Sequence, residues 1–264
     1  ACPFFTLLEL LMKKILVPSL IALALGSVSG LAQAQAAAPE SSLSFNVGAV
    51  SDYRYRGISQ SRLQPALQGG VDYADKSGFY VGAWGSSIKW IKDAGATDGT
   101  VEVDIYGGYK GAVGDLAYDV GFLRYEYVSN KLAGTGSYVN ANTNEVYGAV
   151  TYGLFTAKYS HATTDLFGNA NTKNSYYVDL SAAIDLGDGY NLVPHIGYQK
   201  VKNTTNGSYT DYALTLNKDL GNGLTASGAL VDTNADIAFG YATPAPASKF
   251  TGKSGLVVGL KYAF

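Results

Sequence analysis

The sequence predicts an all-β chain: a transmembrane, antiparallel, up-and-down β-barrel of about 12 strands, with 10 or 14 as the neighbouring possibilities. Three observations predict it. From Ser41 to Phe264 apolar and polar side chains alternate with period two, the pattern of a strand whose two faces meet different surroundings. The alternating runs are mostly 9–13 residues long, against about 5–6 in globular proteins and about 9–11 for tilted spanning strands. Finally, the connections alternate between short and long, as in barrels that keep their tight turns at one membrane face.

The amino-terminal part is read separately. Residues 1–11 precede Met12, the only methionine, and are expected to be an upstream artefact. Residues 12–36 have the layout of a cleavable secretory signal peptide. Lys13 and Lys14 open it, an apolar run from Ile15 to Val28 follows, and small residues place cleavage after Ala34 or Ala36. The apolar run falls short of the about 20 residues that a spanning helix needs. Residues 37–264 are then the barrel.

Cleavage removes Cys2, the only cysteine, so disulfides, thiolate metal ligands and an acylated amino terminus are all excluded. What remains is rich in Gly and Tyr and close to neutral, with no basic patch for nucleic acid.

The predicted strands are 43–55, 64–74, 78–90, 101–110, 116–128, 144–152, 155–163, 175–186, 191–201, 209–220, 224–233 and 255–264. In the first, Leu43, Phe45, Val47 and Ala49 alternate with Ser44, Asn46 and Gly48. Val101, Val103 and Ile105 do the same, as do Val146, Val150 and Tyr152, and then Tyr176, Val178 and Leu180. Connections at 75–77, 111–115, 153–154, 187–190 and 221–223 are short and carry Gly, Asp or Asn, as tight hairpins require. Those at 56–63, 91–100, 129–143, 164–174, 202–208 and 234–254 are longer and polar. An even strand count puts both ends of the barrel on the short-turn side, which is the periplasmic side in barrels of this kind.

Three strands are irregular. The fifth places Tyr118, Val120 and Phe122 outward and then switches to Leu123, Tyr125 and Tyr127. A β-bulge at Phe122–Leu123 would reconcile the two halves and put Arg124 and Glu126 inside. The third has apolar residues on both parities, which leaves its register open. Pro194 in the ninth cannot donate to a ladder. Phe45, Tyr53, Tyr55, Phe79, Tyr109, Tyr125, Tyr127, Tyr152, Phe155, Tyr198 and Tyr262 lie near strand ends and fit interfacial girdles.

Two stretches resemble known patterns. Leu256, Val258, Leu260, Tyr262 and Phe264 resemble the terminal β-signal that the barrel-assembly machinery reads. Ser51-Asp52-Tyr53-Arg54-Tyr55-Arg56-Gly57-Ile58-Ser59-Gln60-Ser61, then Pro65-Ala66-Leu67-Gln68-Gly69-Gly70-Val71-Asp72-Tyr73, then Ser77-Gly78-Phe79-Tyr80-Val81-Gly82-Ala83-Trp84-Gly85-Ser86 resemble the TorF family. That resemblance spreads more weakly over most of the chain. It implies an outer-membrane barrel of a Gram-negative bacterium with a pore role, and it supplies no substrate and no catalytic residue.

Strand parity nominates the lumen lining. On the first strand Asp52, Arg54 and Arg56 face inward near the long loops. Asp72, Glu102, Asp104, Lys110, Glu145 and Lys158 follow, and then Asp179, Asp185, His195 and Lys261. The phase is physically required, because Arg or Lys on the lipid face costs about 2–4 kcal/mol at the midplane. Such a lining implies either a charged pore or a salt-bridge network closing a narrow barrel. Acidic residues outnumber basic ones among these positions, so a mild cation preference is expected.

Enzyme signatures are sparse. Parity sets His195 opposite Ser181 with Asp179 nearby, which is weak support for an acyl-transfer triad. The loop Asp93-Ala94-Gly95-Ala96-Thr97-Asp98-Gly99 has the acids of a calcium loop but reads more simply as a solvated turn. No phosphate loop, metal cluster or dinucleotide fingerprint is present, and no cofactor is expected. The expectation is a porin-like channel for passive diffusion of ions or small polar solutes. The alternative is a non-conducting barrel that acts through its loops at 129–143 and 234–254.

Overall fold

The computed structural model describes residues 41–244 and 248–264; residues 1–11, the signal peptide expected at 12–36 and its expected cleavage site lie outside the described residues. Twelve antiparallel strands close on themselves. They are β1 (Ser42–Val50), β2 (Ala66–Ala74), β3 (Phe79–Ser87), β4 (Val101–Val113), β5 (Leu116–Tyr127) and β6 (Thr143–Tyr152). Then come β7 (Phe155–Ala162), β8 (Tyr176–Ala182, resuming at Ile184–Gly187), β9 (Tyr190–Lys200), β10 (Tyr209–Gly221), β11 (Leu224–Thr233) and β12 (Gly255–Ala263). Each pairs with its sequence neighbours, and β12 returns to β1, where Phe45 and Phe264 exchange backbone hydrogen bonds of 2.8 and 3.0 Å. Closure removes every free edge. In hydrocarbon each unpaired N–H or C=O would cost several kcal/mol.

The two faces follow the alternation. Leu43, Val81, Val120, Leu180, Leu214 and Val258 stand exposed on the outside, and every strand contributes large apolar side chains to the same ring. Soluble proteins rarely expose a contiguous apolar patch above a few hundred Å², so this ring requires lipid. Among the described residues no helix is long and apolar enough to cross a membrane; the strands do the crossing.

Aromatic rings band both rims. Phe79 packs on Tyr109 at 5.0 Å near the short turns, and Tyr159, Tyr176 and Tyr198 follow one another at 5.7 and 6.4 Å near the long loops. Four aromatics predicted for these bands are elsewhere. Tyr53, Tyr125 and Tyr127 are buried inside, and Tyr55 packs beside them, because their hydroxyls find partners in the interior.

The strand irregularities resolve in three ways. β5 contains no bulge: its pairing runs unbroken from Leu116↔Tyr152 to Tyr125↔Thr143. Leu123, Tyr125 and Tyr127 therefore stay on the inward parity, while Arg124 and Glu126 point outward and pair with each other at 2.5 Å. Near the membrane interface such charges cost only about 0–1 kcal/mol. β3 turns Tyr80, Trp84 and Ser86 inward and Phe79 and Val81 outward, so Trp84 meets Tyr53 at 5.5 Å. Pro194 lies within β9, and β8 breaks between Ala182 and Ile184, opposite Val193 and Pro194. The proline has no N–H to donate there.

The largest departure is at the first strand. The alternation continues to residue 55, yet β1 stops at Val50 and the chain leaves the wall for the lumen.

Candidate functional site in the barrel lumen

Residues 51–65 form a segment that crosses the loop half of the lumen. Ser51 makes the exit: its N–H donates to the Val258 carbonyl at 2.8 Å and its Oγ accepts from Val258 N–H at 2.9 Å. A two-residue ladder then pairs Arg54 with Ser59 and Tyr55 with Ile58. Its turn is Arg56-Gly57, both at positive φ (47° and 79°), as a hairpin of the mirror-image type demands. Left-handed backbone costs a non-glycine residue about 1–2 kcal/mol. Glycine suits the second position, where a Cβ would also lie 2.8 Å from the Asp211 side chain.

Charge pairing holds the segment. Asp52 accepts from Arg54 Nε at 2.5 Å, Ser59 Oγ at 2.5 Å and Ser61 Oγ at 3.2 Å. Arg54 Nη1 also donates to the carbonyls of Gly57, Thr251 and Lys253. At the tip, Arg56 reaches the opposite wall. Its two terminal nitrogens donate to Glu145 of β6 at 3.0 and 2.7 Å, and Nη1 donates to Gln199 of β9 at 2.6 Å. The guanidinium lies 4.3 Å from the Tyr177 ring centre and 4.8 Å from that of Tyr55. Nearby, Tyr53 Oη donates to Glu102 at 2.7 Å. Burying this much charge is costly unless every partner is in place.

Loops pack onto this half from above. Ile91 of the short helix α1 (Trp90–Asp93), Leu132 and Ala141 are fully buried with Tyr53, Tyr125 and Tyr127 in one apolar cluster. Asp93 of the suspected calcium loop pairs with Arg62, and Asp98 Oδ1 accepts from the Gly99 N–H.

The short-turn half differs. Asp72, Lys110 and Lys158 remain partly exposed there, beside the half-buried rings of Tyr80, Tyr106 and Tyr147. Tyr106 Oη donates to Asp72 at 2.5 Å, Tyr80 Oη donates to Asp119 at 2.6 Å, and the hydroxyls of Tyr80 and Tyr147 meet. The hydroxyl end of Tyr147 lies over Gly121, where a Cβ would stand 2.5 Å from Tyr147 Oη; a glycine leaves room for it there.

The residues nominated by parity thus fall into separate environments. Asp52, Arg54 and Arg56 do point inward, but from the crossing segment and not from a strand. Glu102 and Glu145 are each 1% exposed and face that segment, not water. Asp185 is solvent-exposed at the short-turn rim, where its Oδ1 accepts from the Gly187 N–H. Asp72, Asp104, Lys110, Lys158 and Lys261 line the wall. Asp179 and His195 belong to a buried cluster with Asp211 and Tyr177: His195 Nε2 is 2.5 Å from Asp179 Oδ2 and 3.1 Å from Tyr177 Oη, and Nδ1 is 3.6 Å from Asp211. Ser181 is in register with His195, yet its Oγ makes no hydrogen bond. The nucleophile–base contact that an acyl-transfer triad needs is therefore not made. Among the described residues no group of His, Cys, Asp and Glu could hold a metal.

Sequence reasoning missed the tyrosines of the lumen and Gln199. The Tyr hydroxyls act through partners on other strands, which no local pattern records. Gln199 does lie on the inward parity of β9, and that was the available clue.

Comparison with known proteins places this architecture. The family described as "Bacterial protein of unknown function (Gcw_chp)" matches residues 33–264. No curated protein matches the chain. Among solved structures, the KdgM porin superposes with a TM-score of 0.52 at 8% identity, covering 84% of this chain and 99% of that one. The NanC porin does so with a TM-score of 0.50 at 10% identity, covering 84% and 99%. A KdgM porin solved in complex with disordered oligogalacturonate gives 0.50 at 8% identity, covering 85% and 99%. At these identities the likeness is one of fold.

Proposed function

This chain belongs to the Gcw_chp family of bacterial proteins of unknown function, and from that footing we propose that it is a narrow outer-membrane channel for passive diffusion of small polar solutes or ions. It sits in the outer membrane of a Gram-negative cell with its short turns toward the periplasm. Residues 51–65 form its constriction. The observation that carries this reading is the contrast between the two halves of one lumen. The loop half is crossed by a segment held to the far wall through the side chain of Arg56, and the short-turn half keeps charged side chains partly open to water. A barrel with only a structural role gains nothing from that exposed lining, because ordinary packing would stabilise it better. The porin-like fold and the resemblance to the TorF family support the same reading. The outward ladder Leu256, Val258, Leu260, Tyr262 and Phe264 is the surface proposed for the barrel-assembly machinery.

The test is to refold residues 37–264, verify a heat-modifiable shift in gel mobility, and record single channels in a planar bilayer. Discrete conductance steps support the proposal. A second reading, a non-conducting barrel that recognises partners through its loops, draws on the apolar cluster that orders those loops. A folded barrel that stays silent even after Arg56 is replaced would favour it.

A further inference from the structure

We propose that the short-turn half of the lumen is an anion-selecting vestibule, so that the solutes admitted are small oxyanions such as carboxylates or phosphates. This rests on the channel reading and names its substrate class. It runs against the expectation from counting acidic and basic positions, and the reason lies in what each charge touches.

The carboxylates of this half are tied to the wall. Asp72 and Asp119 each accept a tyrosine hydroxyl, from Tyr106 and Tyr80, at 2.5 and 2.6 Å. The three lysines are not tied in this way. Among the described residues, Lys110, Lys158 and Lys261 form no ion pair within 4.0 Å and no side-chain hydrogen bond. Lys110 Nζ rests 4.7 Å above the Tyr80 ring and Lys158 Nζ rests 4.2 Å above the Tyr147 ring. Because the hydroxyls of those rings meet, the two ammonium groups flank one aromatic bridge that spans β3 to β6. A ring face stabilises a cation without consuming all of its N–H donors. Each ammonium therefore keeps donors for a solute, and a wall of low dielectric focuses its field into the lumen.

Acids of the other half are mostly engaged by partners of their own, Asp179 and Asp211 by His195 at 2.5 and 3.6 Å. Glu145 and Asp52 are neutralised by Arg56 and Arg54. Glu102 is 1% exposed beneath the Tyr53 hydroxyl, and Asp104 Oδ1 is shut off from water.

The experiment is a reversal-potential measurement across a KCl gradient on the refolded barrel, with Lys110→Met/Lys158→Met as the test variant. Lys218→Met is the control: its side chain sits outside the wall over the Tyr190 ring and carries the same charge. Wild type and control are expected to pass chloride in preference to potassium, and the double variant to lose about twofold or more of that ratio. Cation preference in wild type, or an unchanged ratio in the double variant, overturns the proposal. A folded barrel with no conductance at all would sink the channel reading instead. In that event ³¹P line broadening of inorganic phosphate still decides: broadening by wild type that the double variant abolishes supports the site, and none with wild type overturns it.

Discussion

Arg56 and Glu145 are 89 residues apart and join through two near-parallel hydrogen bonds of 3.0 and 2.7 Å across the lumen. Both are almost wholly buried, at 5% and 1% side-chain exposure. Removing one partner of such a pair strands the other charge, at a cost of about 3–5 kcal/mol. In this barrel the cost falls on the docking of residues 51–65, not on the strand ladder. Glu145→Ala should therefore release the segment and raise single-channel conductance and solute uptake while leaving the heat-modifiable mobility shift intact. Replacing both partners, Arg56→Met/Glu145→Met, should keep the segment docked and conductance near the wild-type level, because no charge is left unpaired.

The packing of Tyr147 on Gly121 predicts a stability effect. A Cβ at position 121 would also stand 2.7 Å from the Gly107 carbonyl oxygen, so the neighbouring backbone must shift. Gly121→Ala should destabilise the barrel by about 1–3 kcal/mol, the usual range for overpacking. A lowered midpoint in the heat-dependent gel shift would show it, and an unchanged midpoint would mean that the ring is free to move away.

The lipid-facing ring predicts a contrast between adjacent positions. Leu214 points outward and its neighbour Thr215 inward on β10. Leu214 sits at the middle of the strand, so Leu214→Arg should cost about 2–4 kcal/mol in folding equilibria measured in lipid vesicles. Thr215→Arg should cost less, because its charge points into the polar interior and away from lipid. Equal penalties would contradict the assignment of faces.

At the short turn after β2, Asp75 accepts from Ser77 Oγ at 2.5 Å, Ser77 N–H at 2.9 Å and Ser41 Oγ at 2.8 Å. These bonds, those from Ser77 foremost, hold its carboxyl pKa down at about 2. A folded pKa below the unfolded value of about 3.9 means that the stabilisation is present above that value and is lost as pH falls through the folded one. The protection of the Ser77 amide, measured against its intrinsic exchange rate, should therefore hold down to about pH 4 and fall toward pH 2. Asp75→Asn should exchange faster at neutral pH and show no such acid transition.

Much of the barrel was legible because alternation is a local property. Whether Leu256 and Val258 point one way and Val257 and Lys261 the other depends only on the period of a strand, and Pro194 interrupts a ladder for a reason that needs no neighbour, its missing N–H. The errors share a cause. Asp52, Arg54 and Arg56 continue the inward parity of β1, so nothing nearby announces that the wall ends at Val50. The switch at Leu123 looked like a bulge because Tyr125 and Tyr127 are aromatic and Arg124 and Glu126 are charged. Their faces are set by a carboxylate on β6, which accepts from the Tyr125 hydroxyl at 3.1 Å, and by a membrane rim that tolerates charge.

Composition and periodicity alone determined that this chain forms a closed sheet with an oily exterior and a polar interior. A spanning backbone must satisfy its own hydrogen bonds, and a period of two sorts side chains wherever the strands stand. Only the tertiary structure decided how the interior is used. Which charges neutralise one another depends on side chains meeting across the lumen, and Arg56 finds Glu145 only once the β-sheet has closed. That meeting divides the lumen into a constricted half and a half lined with lysines.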